Sequence, residues 1–272
     1  MREPAPYLLG HRCAEQDRLE RQASELAPES EALFDRIGVG AGWRVVEIGC
    51  GPRGCLELLS RRVGAAGRVV GVELSPEQAG RARSFAIEQG WTNVEVRAGD
   101  ARRTGLDAGG FDLATERLVL VNVPEPAAIV AEMVRLVRPG GWIALHEADS
   151  STQRCDPPHA AFDRLLELLD AYARRNGIDR AIAMRAPRLL RDAGAIDVRV
   201  QPLVHAYEAG HPRRRLLLEF VENARARLVE SEIARADELD ALTAALARHL
   251  DDPATLVTSS LFVQAWGRKP ER

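Results

Sequence analysis

The chain has 272 residues, of which 46% are hydrophobic, and a formal net charge of -3. A chain of this length can bury roughly 75% of its unfolded surface, which is enough for a full α/β domain with appendages. This charge balance gives no reason to expect nucleic acid or an anionic membrane as partner, and no apolar run is long enough to span a bilayer.

Residues 1–40 are predicted to form an N-terminal helical arm. A charged helix over Cys13–Ala27 carries only a narrow apolar stripe, so we expect it to lie on a surface or over a groove. A second helix is predicted over Glu31–Ile37, ending at Gly38. We expect this arm to act as a lid over a site in the domain that follows, which spans residues 41–272.

From residue 41 onward, strands and helices alternate with short loops, as in a parallel sheet covered on both faces. Ser75 followed by Pro76 marks one helix start, because Ser is a favoured N-cap and Pro a favoured first residue. In such sheets the ligand lies beyond the carboxyl ends of the strands. The predicted strands are Arg44–Ile48, Arg68–Leu74, Val94–Ala98, Phe111–Ala114 and Gly141–His146, and the predicted helices lie at Gly54–Val63, Pro76–Glu88 and Pro126–Val137.

The pattern changes after Asp149, where helices become more frequent than strands. A helical insertion is predicted over residues 212–250. It could form a substrate wall, or it could have a structural or oligomeric role. The remaining predictions are helices at Ala160–Arg175 and Ala186–Ala193 and strands at Ile196–His205 and Leu256–Trp266.

The first predicted strand ends in Glu47 and breaks into a glycine-rich loop, where the absence of Cβ atoms lets backbone N–H groups approach a nucleotide-like ligand. Residues Gly49–Gly54 satisfy the GxGxxG pattern, and Glu73 follows at the spacing expected of an NAD-dependent dehydrogenase. Glu47 instead favours a ligand that carries an ammonium or sulfonium group. Gly99-Asp100-Ala101, after the third strand, can present a carboxylate to an adenine amino group.

Over residues 40–150 these features together resemble the class I S-adenosylmethionine-dependent methyltransferases. The resemblance implies a Rossmann-like, doubly wound α/β sheet of seven mostly parallel strands, with an antiparallel last strand beside Ile196–His205 and with S-adenosylmethionine as cofactor. The matching motifs are Glu47-Ile48-Gly49-Cys50-Gly51, Gly71-Val72-Glu73-Leu74-Ser75, Gly99-Asp100-Ala101, Phe111-Asp112-Leu113 and Leu136-Val137-Arg138-Pro139-Gly140-Gly141.

The resemblance also implies roles for individual residues. Glu73 can accept two hydrogen bonds from a ribose diol, and Glu47 can supply negative potential to the methionine part. Simpler alternatives are a turn-capping role for Asp100 and a surface salt bridge for Arg117. The residues assigned to the cofactor are Glu47, Gly49, Cys50, Gly51, Glu73, Leu74, Gly99, Asp100, Ala101, Glu116 and Arg117.

Methyl transfer requires alignment of the acceptor with the methyl group, and often the removal of a proton from the acceptor. The candidates for proton removal are His146, Glu147 and Asp149, at the end of the fifth strand, and Tyr7 and His11, in the N-terminal arm. His146 could instead be packed within the sheet. Asp149 shares a strand face with Glu147 and is expected to point the same way.

A run of three arginines and the cysteines each have a structural and a functional interpretation. Arg213-Arg214-Arg215 opens the insertion, where we expect a solvated face, with recognition of a carboxylate or phosphate as the alternative. Cys50 and Cys55 have no second cysteine pair or nearby His, so we expect no metal site. The four cysteines form no disulfide framework, which indicates reduced thiols and a cytoplasmic protein.

The expected function is transfer of a methyl group to a small, secondary-metabolite-like acceptor, at carbon, nitrogen or oxygen. The alternatives are a cyclase or pericyclase-like enzyme that binds the same cofactor, a non-catalytic binding scaffold, and, more remotely, a dehydrogenase. Besides the small molecule, we expect no nucleic-acid or membrane partner. The N-terminal helices or the insertion could form a homo-oligomer.

Overall fold

The computed structural model describes residues 13–271, so Tyr7 and His11 lie outside the described residues. The helices are α1 (Cys13–Glu25), α2 (Ala27–Ile37), α3 (Leu56–Val63), α4 (Pro76–Glu88), α5 (Pro126–Leu136), α6 (Ala160–Arg175), α7 (Ala186–Asp192), α8 (Leu216–Glu230) and α9 (Ala236–Asp251). The strands are β1 (Arg44–Ile48), β2 (Arg68–Glu73), β3 (Val94–Ala98), β4 (Phe111–Arg117), β5 (Val137–Asp149), β6 (Arg154–Asp156), β7 (Ile196–Leu203), β8 (Ala206–Tyr207), β9 (Leu256–Thr258) and β10 (Leu261–Arg268).

A seven-stranded sheet with the order β3-β2-β1-β4-β5-β10-β7 forms the centre of the fold. Strands β1 to β5 run parallel, and β10 lies antiparallel between β5 and β7. This arrangement confirms the predicted Rossmann-like sheet and the insertion of the last strand beside the strand at Ile196. The strand order reverses between β1 and β4, and the loops after these two strands therefore diverge and leave room for a ligand.

The last predicted strand is divided in two. β9 leaves the main sheet and pairs with β6 and β8 in a small three-stranded sheet. The division falls at Ser259 and Ser260; the Ser259 N–H donates to the backbone oxygen of His205. Strands of two or three residues are too short for an alternating pattern, so the sequence did not reveal the small sheet.

Both faces of the main sheet are covered. On one face, α2, α3 and α4 contribute buried side chains that include Phe34, Leu59 and Ala82. On the other face, α5 and α7 contribute Met133 and Leu190. Within residues 13–271, no helix combines the length and the apolar character that a membrane span requires.

The predicted insertion contains a short 3₁₀ turn, Pro212–Arg215, followed by α8 and α9. These two helices do not stand alone, because α6 joins them around a separate core. Buried members of this core include Phe162 on α6, Val221 on α8 and Leu246 on α9. The three helices form a unit beside the carboxyl edge of the sheet.

Helix α1 bridges the sheet domain and this helical unit. The Gln16 amide donates to Glu77 on α4 at 3.0 Å, and the Asn223 amide on α8 donates to Glu15 at 2.7 Å. Arg21 forms an ion pair with Glu219 on α8. The boundary between α1 and α2 differs from the predicted one, because Pro28 lies in the first turn of α2 and does not terminate α1.

Replacing Phe162 by Ala tests the core of the helical unit. The side chain is 1% exposed, so its removal should leave a cavity and lower the free energy of unfolding by about 3–5 kcal/mol. Ile87→Ala is the control, because Ile87 is 79% exposed and its loss should change stability by less than about 0.5 kcal/mol. Urea unfolding followed by circular dichroism measures both, and equal effects would contradict this description of the core.

Candidate active site

A cavity of about 400 Å³ opens at the carboxyl edge of the sheet, where the strand order reverses between β1 and β4. We call the part formed by the loops after β1 to β4 the loop end. We call the part formed by α1, α8 and their neighbours the helical end. The loop end is lined by residues within 47–54, 72–75, 99–102 and 117–124; the helical end is lined by residues within 18–26 and 212–220 and by Ala148, Ser150, Leu169, Arg180, Ser260 and Phe262.

The loop end contains nearly all of the residues predicted to bind the cofactor. Only Glu116 is absent from the wall that the described residues form. The predicted residues that line it are Glu47, Gly49, Cys50, Gly51, Glu73, Leu74, Gly99, Asp100, Ala101 and Arg117.

Glu47 is buried at the end of β1, with 1% of its surface exposed. Its Oε1 accepts a hydrogen bond from the Cys55 N–H at 2.7 Å, whereas its Oε2 is buried without a partner among the described residues. Burial raises the pKa of Glu47 to about 7, although the positive charge of Arg117 lowers it. An unpartnered buried carboxylate oxygen is costly, and a cationic ligand group in the cavity would satisfy it.

The loop after β1 can approach this carboxylate only because of its glycines. A Cβ on Gly54 would lie 2.5 Å from Glu47 Oε1, and a Cβ on Gly49 would lie 2.4 Å from Val119 Cγ2. Gly51 has a positive φ of 55°, and no atom lies within 4 Å of where its Cβ would be. The space beside Gly51 is therefore part of the cavity.

Glu73 ends β2 with its carboxylate fixed by backbone donors. Its Oε2 accepts from the Gly51 N–H at 3.0 Å, and its Oε1 accepts from the Ser75 N–H at 2.9 Å. Each oxygen retains acceptor capacity towards the cavity. Leu74 follows with 53% of its surface exposed and gives this wall an apolar area large enough for a planar ring.

Asp100 lines the cavity but already has a strong partner. Its carboxylate accepts hydrogen bonds from the backbone N–H and the guanidinium of Arg102, at distances of 2.7 to 3.1 Å. These hydrogen bonds lower the pKa of Asp100. The turn-capping alternative therefore describes its contacts here, and any ligand group would share the carboxylate with Arg102.

The sequence assigns Glu116 to the cofactor and Glu147 to proton removal, but neither lies in the cavity wall that the described residues form. Glu147 is fully buried, and its oxygens accept from the N–H groups of Leu120 and Val121 at 2.6 and 3.1 Å. Glu116 accepts from Val119 and His146 N–H groups and hydrogen-bonds Glu147. Burial raises the pKa of both carboxyls. The negative charge of Glu147 raises the pKa of Glu116 further. The pair supports the cavity-lining turn at residues 118–121.

His146 is likewise outside the cavity wall that the described residues form. It is 2% exposed, both ring nitrogens lack a partner among the described residues, and burial lowers its pKa to about 3. Its ring packs edge-on against Phe262, which does line the cavity. Asp149 also turns away and accepts from the Ser151 N–H at 3.0 Å. These contacts correspond to the packed-histidine alternative.

Comparison with known proteins matches one segment of the chain to a known family. Residues 46–145 match a family described as "Methyltransferase domain", in agreement with the methyltransferases that the sequence resembles. The matched segment begins in β1 and ends in β5, and so contains all four strands whose following loops form the loop end.

Two curated relatives and one solved structure illustrate the similarity of the methyltransferase domain. An uncharacterised 37.1 kDa protein in transposon TN4556 of Streptomyces fradiae is 32% identical over 64% of this chain and 50% of its own length. Nocamycin O-methyltransferase of Saccharothrix syringae is 32% identical over 43% of this chain and 42% of its own length. The chain thus spans about half the length of these curated relatives.

The solved structure is phosphoethanolamine N-methyltransferase 2 of Haemonchus contortus, in complex with phosphomonomethylethanolamine and S-adenosylhomocysteine. It has a TM-score of 0.55 and 18% identity, and the match covers 89% of this chain and 52% of that one. At this level of identity the similarity concerns the fold.

Sequence reasoning missed most of the helical end. Arg213 and Arg214 are buried, at 8% and 4% exposure, so the expected solvated face is wrong for both; only Arg215 is exposed. Arg180, in the segment after α6, is buried and lines the cavity. These positions carry no local pattern, because their burial results from packing between distant segments. In the part of the chain that is described, no cluster of His, Cys, Asp and Glu is arranged to hold a metal ion.

The raised pKa of Glu47 predicts a pH dependence of stability in the ligand-free methyltransferase domain. The folded state retains a proton on Glu47 up to about pH 7, whereas the unfolded chain releases it near pH 4.5. The free energy of unfolding should therefore fall as the pH rises between these values, by on the order of 3 kcal/mol in total. Glu47→Gln should remove this part of the pH dependence.

Urea unfolding at the two ends of this pH range measures the effect. The exposed Glu57 provides the matched control, and Glu57→Gln should leave the dependence of the unfolding free energy on pH unchanged. If the Glu47→Gln protein loses as much stability with rising pH as the parent protein, Glu47 does not carry the retained proton.

Proposed function

We propose that this protein transfers a methyl group from S-adenosylmethionine to a small-molecule acceptor. The observation that carries the proposal is the pair of carboxylates, Glu47 and Glu73, which end neighbouring strands on either side of the Gly49–Gly51 loop. Glu47 has a buried oxygen without a partner, and Glu73 has two oriented oxygens with remaining acceptor capacity. A dinucleotide pyrophosphate would meet negative charge at Glu47, whereas a cationic amino-acid tail would be stabilised there.

The residues of the loop end fit this cofactor part by part. Glu47 would stabilise the positive charge of the methionine part, and the space beside Gly51 would accommodate its chain. Glu73 would accept the two ribose hydroxyls. Leu74 and Ala101 would contact the adenine ring. When bound, S-adenosylmethionine supplies a methyl group already activated on a sulfonium.

The chain itself would position the acceptor and exclude water. Phe220 and Phe262 line the helical end, and we propose that α1 acts as a lid above it. Among the described residues, no His, Lys or Tyr lines the cavity, and its helical-end carboxylates are Glu25 and Glu219. We therefore propose no proton transfer by His146 or Glu147; for a reactive acceptor, alignment alone can suffice. Tyr7 and His11 remain candidates from the arm.

The type of acceptor, the cellular location and a homo-oligomer are part of the same proposal. The similarity to nocamycin O-methyltransferase supports an acceptor of the secondary-metabolite type. Cys50, Cys55 and Cys155 are free, buried thiols, which supports a cytoplasmic location. A homo-oligomer would use the outer faces of α8 and α9, since α1 packs against α4 and α8.

Substitution of Glu73 tests the cofactor site. Glu73→Ala removes both acceptors for the ribose diol and should weaken binding of S-adenosylhomocysteine at least ~10-fold, whereas Glu73→Gln, which keeps one acceptor oxygen, should weaken it less. Isothermal titration calorimetry measures both. Glu95→Gln, an exposed change on β3 outside the cavity, should bind normally. Unchanged affinity in the Glu73→Ala protein would rule out the proposed cofactor site.

Turnover separates methyl transfer from the other roles of this fold. Acceptor candidates incubated with methyl-labelled S-adenosylmethionine should acquire label in step with release of S-adenosylhomocysteine. A cyclase would convert substrate without that release, and a binding scaffold would convert nothing.

A further inference from the structure

Two buried arginines line the helical end with nitrogens that have no hydrogen-bond partner among residues 13–271. Arg180 has a side chain that is only 7% exposed, and its Nη1 donates to Asp170 Oδ1 at 2.9 Å. Its Nε and Nη2 make no hydrogen bond to any residue between 13 and 271. A guanidinium offers five donors, so most of the hydrogen-bonding capacity of Arg180 is unused by the protein.

Arg213, in the 3₁₀ turn before α8, is also buried and lines the cavity. Its side chain is 8% exposed; Nε donates to Glu25 at 2.5 Å, and Nη1 donates to the Tyr207 hydroxyl at 3.3 Å. Its Nη2 has no partner in the described part of the chain. Arg213 is therefore not a solvated surface charge, as the sequence suggested, but a buried donor at the cavity.

Backbone pairing and shared lining connect the segments that carry the two arginines to the neighbouring ends of β5 and β10. Ser150 follows β5, and Ser260 precedes β10, in which Leu261 pairs with Asp149. The Ser150 N–H donates to the Arg180 backbone oxygen at 2.8 Å, while Arg213 shares a small second hollow with Ser260 and Phe262. Both serines line the main cavity together with Arg180 and Arg213.

We propose that Arg180 and Arg213 bind a carboxylate carried by the acceptor, and this inference rests on the proposed methyl-transfer function. A guanidinium matches a planar carboxylate in geometry and forms strong charge-assisted hydrogen bonds with it. Apolar side chains, Leu169, Phe220 and Phe262, line the same end of the cavity beside polar and charged ones that include Glu25. The acceptor class is therefore a compact aromatic or otherwise apolar molecule with one carboxylate.

The cost of burying charge supports a ligand role. Removing a guanidinium from water is expensive unless its donors and its charge are matched. Asp170 is the one carboxylate paired with Arg180, and burial still lowers the pKa of Arg180. A second anion in the cavity would complete the pairing of both arginines.

Probe binding to the protein saturated with S-adenosylhomocysteine tests the proposal. The probes are 4-hydroxybenzoate and its uncharged amide, 4-hydroxybenzamide, which differ in charge at nearly equal size. Calorimetry on the full chain should give an affinity for the carboxylate at least ~10-fold higher than for the amide. Arg180→Gln and Arg213→Gln should each bring the two affinities close together.

Two control variants distinguish recognition from structure. Arg215→Gln removes an exposed neighbour that pairs with Asp251 and should keep the preference for the carboxylate. Glu25→Gln removes the negative charge that competes for Arg213 but leaves the guanidinium in place, so it should preserve or increase the preference. If Glu25→Gln loses the preference as Arg213→Gln does, Arg213 only fastens α1 and the proposal is wrong.

The remaining outcomes are also decisive. Equal affinity of the parent protein for both probes, or no carboxylate binding at millimolar concentration, overturns the carboxylate site. Binding of S-adenosylhomocysteine in the same samples then leaves the proposed methyl-transfer function standing. Failure of S-adenosylhomocysteine to bind rejects that function, whatever the probes do.

Discussion

The carboxylate of Glu47 constrains how the loop after β1 can fold. It is buried at the end of β1 and accepts a hydrogen bond from the Cys55 N–H. It also lies so close to Gly54 that position 54 has no room for a side chain. Arg117 approaches the same loop, donating to the Gly54 backbone oxygen at 3.1 Å and to Ser30 at 3.0 Å. The loop, β4 and α2 are thus fixed around one acidic group. Its second oxygen has no hydrogen-bond partner in the described part of the chain, so this rigid arrangement fits the cationic ligand group proposed above.

The two ends of the cavity offer different groups to a ligand. The loop end includes carboxylate oxygens of Glu47 and Glu73 with remaining acceptor capacity, and the helical end includes guanidinium N–H groups of Arg180 and Arg213 that have no partner among residues 13–271. A cationic ligand part and an anionic ligand part would therefore be drawn to opposite ends. Such a division orients two ligands without contact to the reacting atoms, which is the main requirement of an in-line displacement.

The sequence predicted the sheet well because parallel strands and their loops leave local signals. β1, β3 and α6 have the predicted bounds, and the motif residues meet at one edge because sheet topology brings strand ends together. The direction of single side chains was less predictable. Glu147 lies at a strand end like Glu47, yet backbone N–H groups of a neighbouring turn take both of its oxygens. Arg213 lies in a run of arginines typical of a surface, and only the packing of α1 and β8 around it makes it buried.

The pair formed by Glu116 and Glu147 has one further chemical consequence. Glu116 receives a backbone N–H at each of its two oxygens and also shares a hydrogen bond with Glu147. A neutral carboxylic acid can do all of this, because its hydroxyl oxygen accepts one hydrogen bond while donating another. The amide of Gln has only one oxygen, and its NH₂ group would oppose the second backbone N–H. Replacing Glu116 by Gln should therefore disturb the turn at residues 118–121, although Glu116 is not part of the cavity wall that the described residues form.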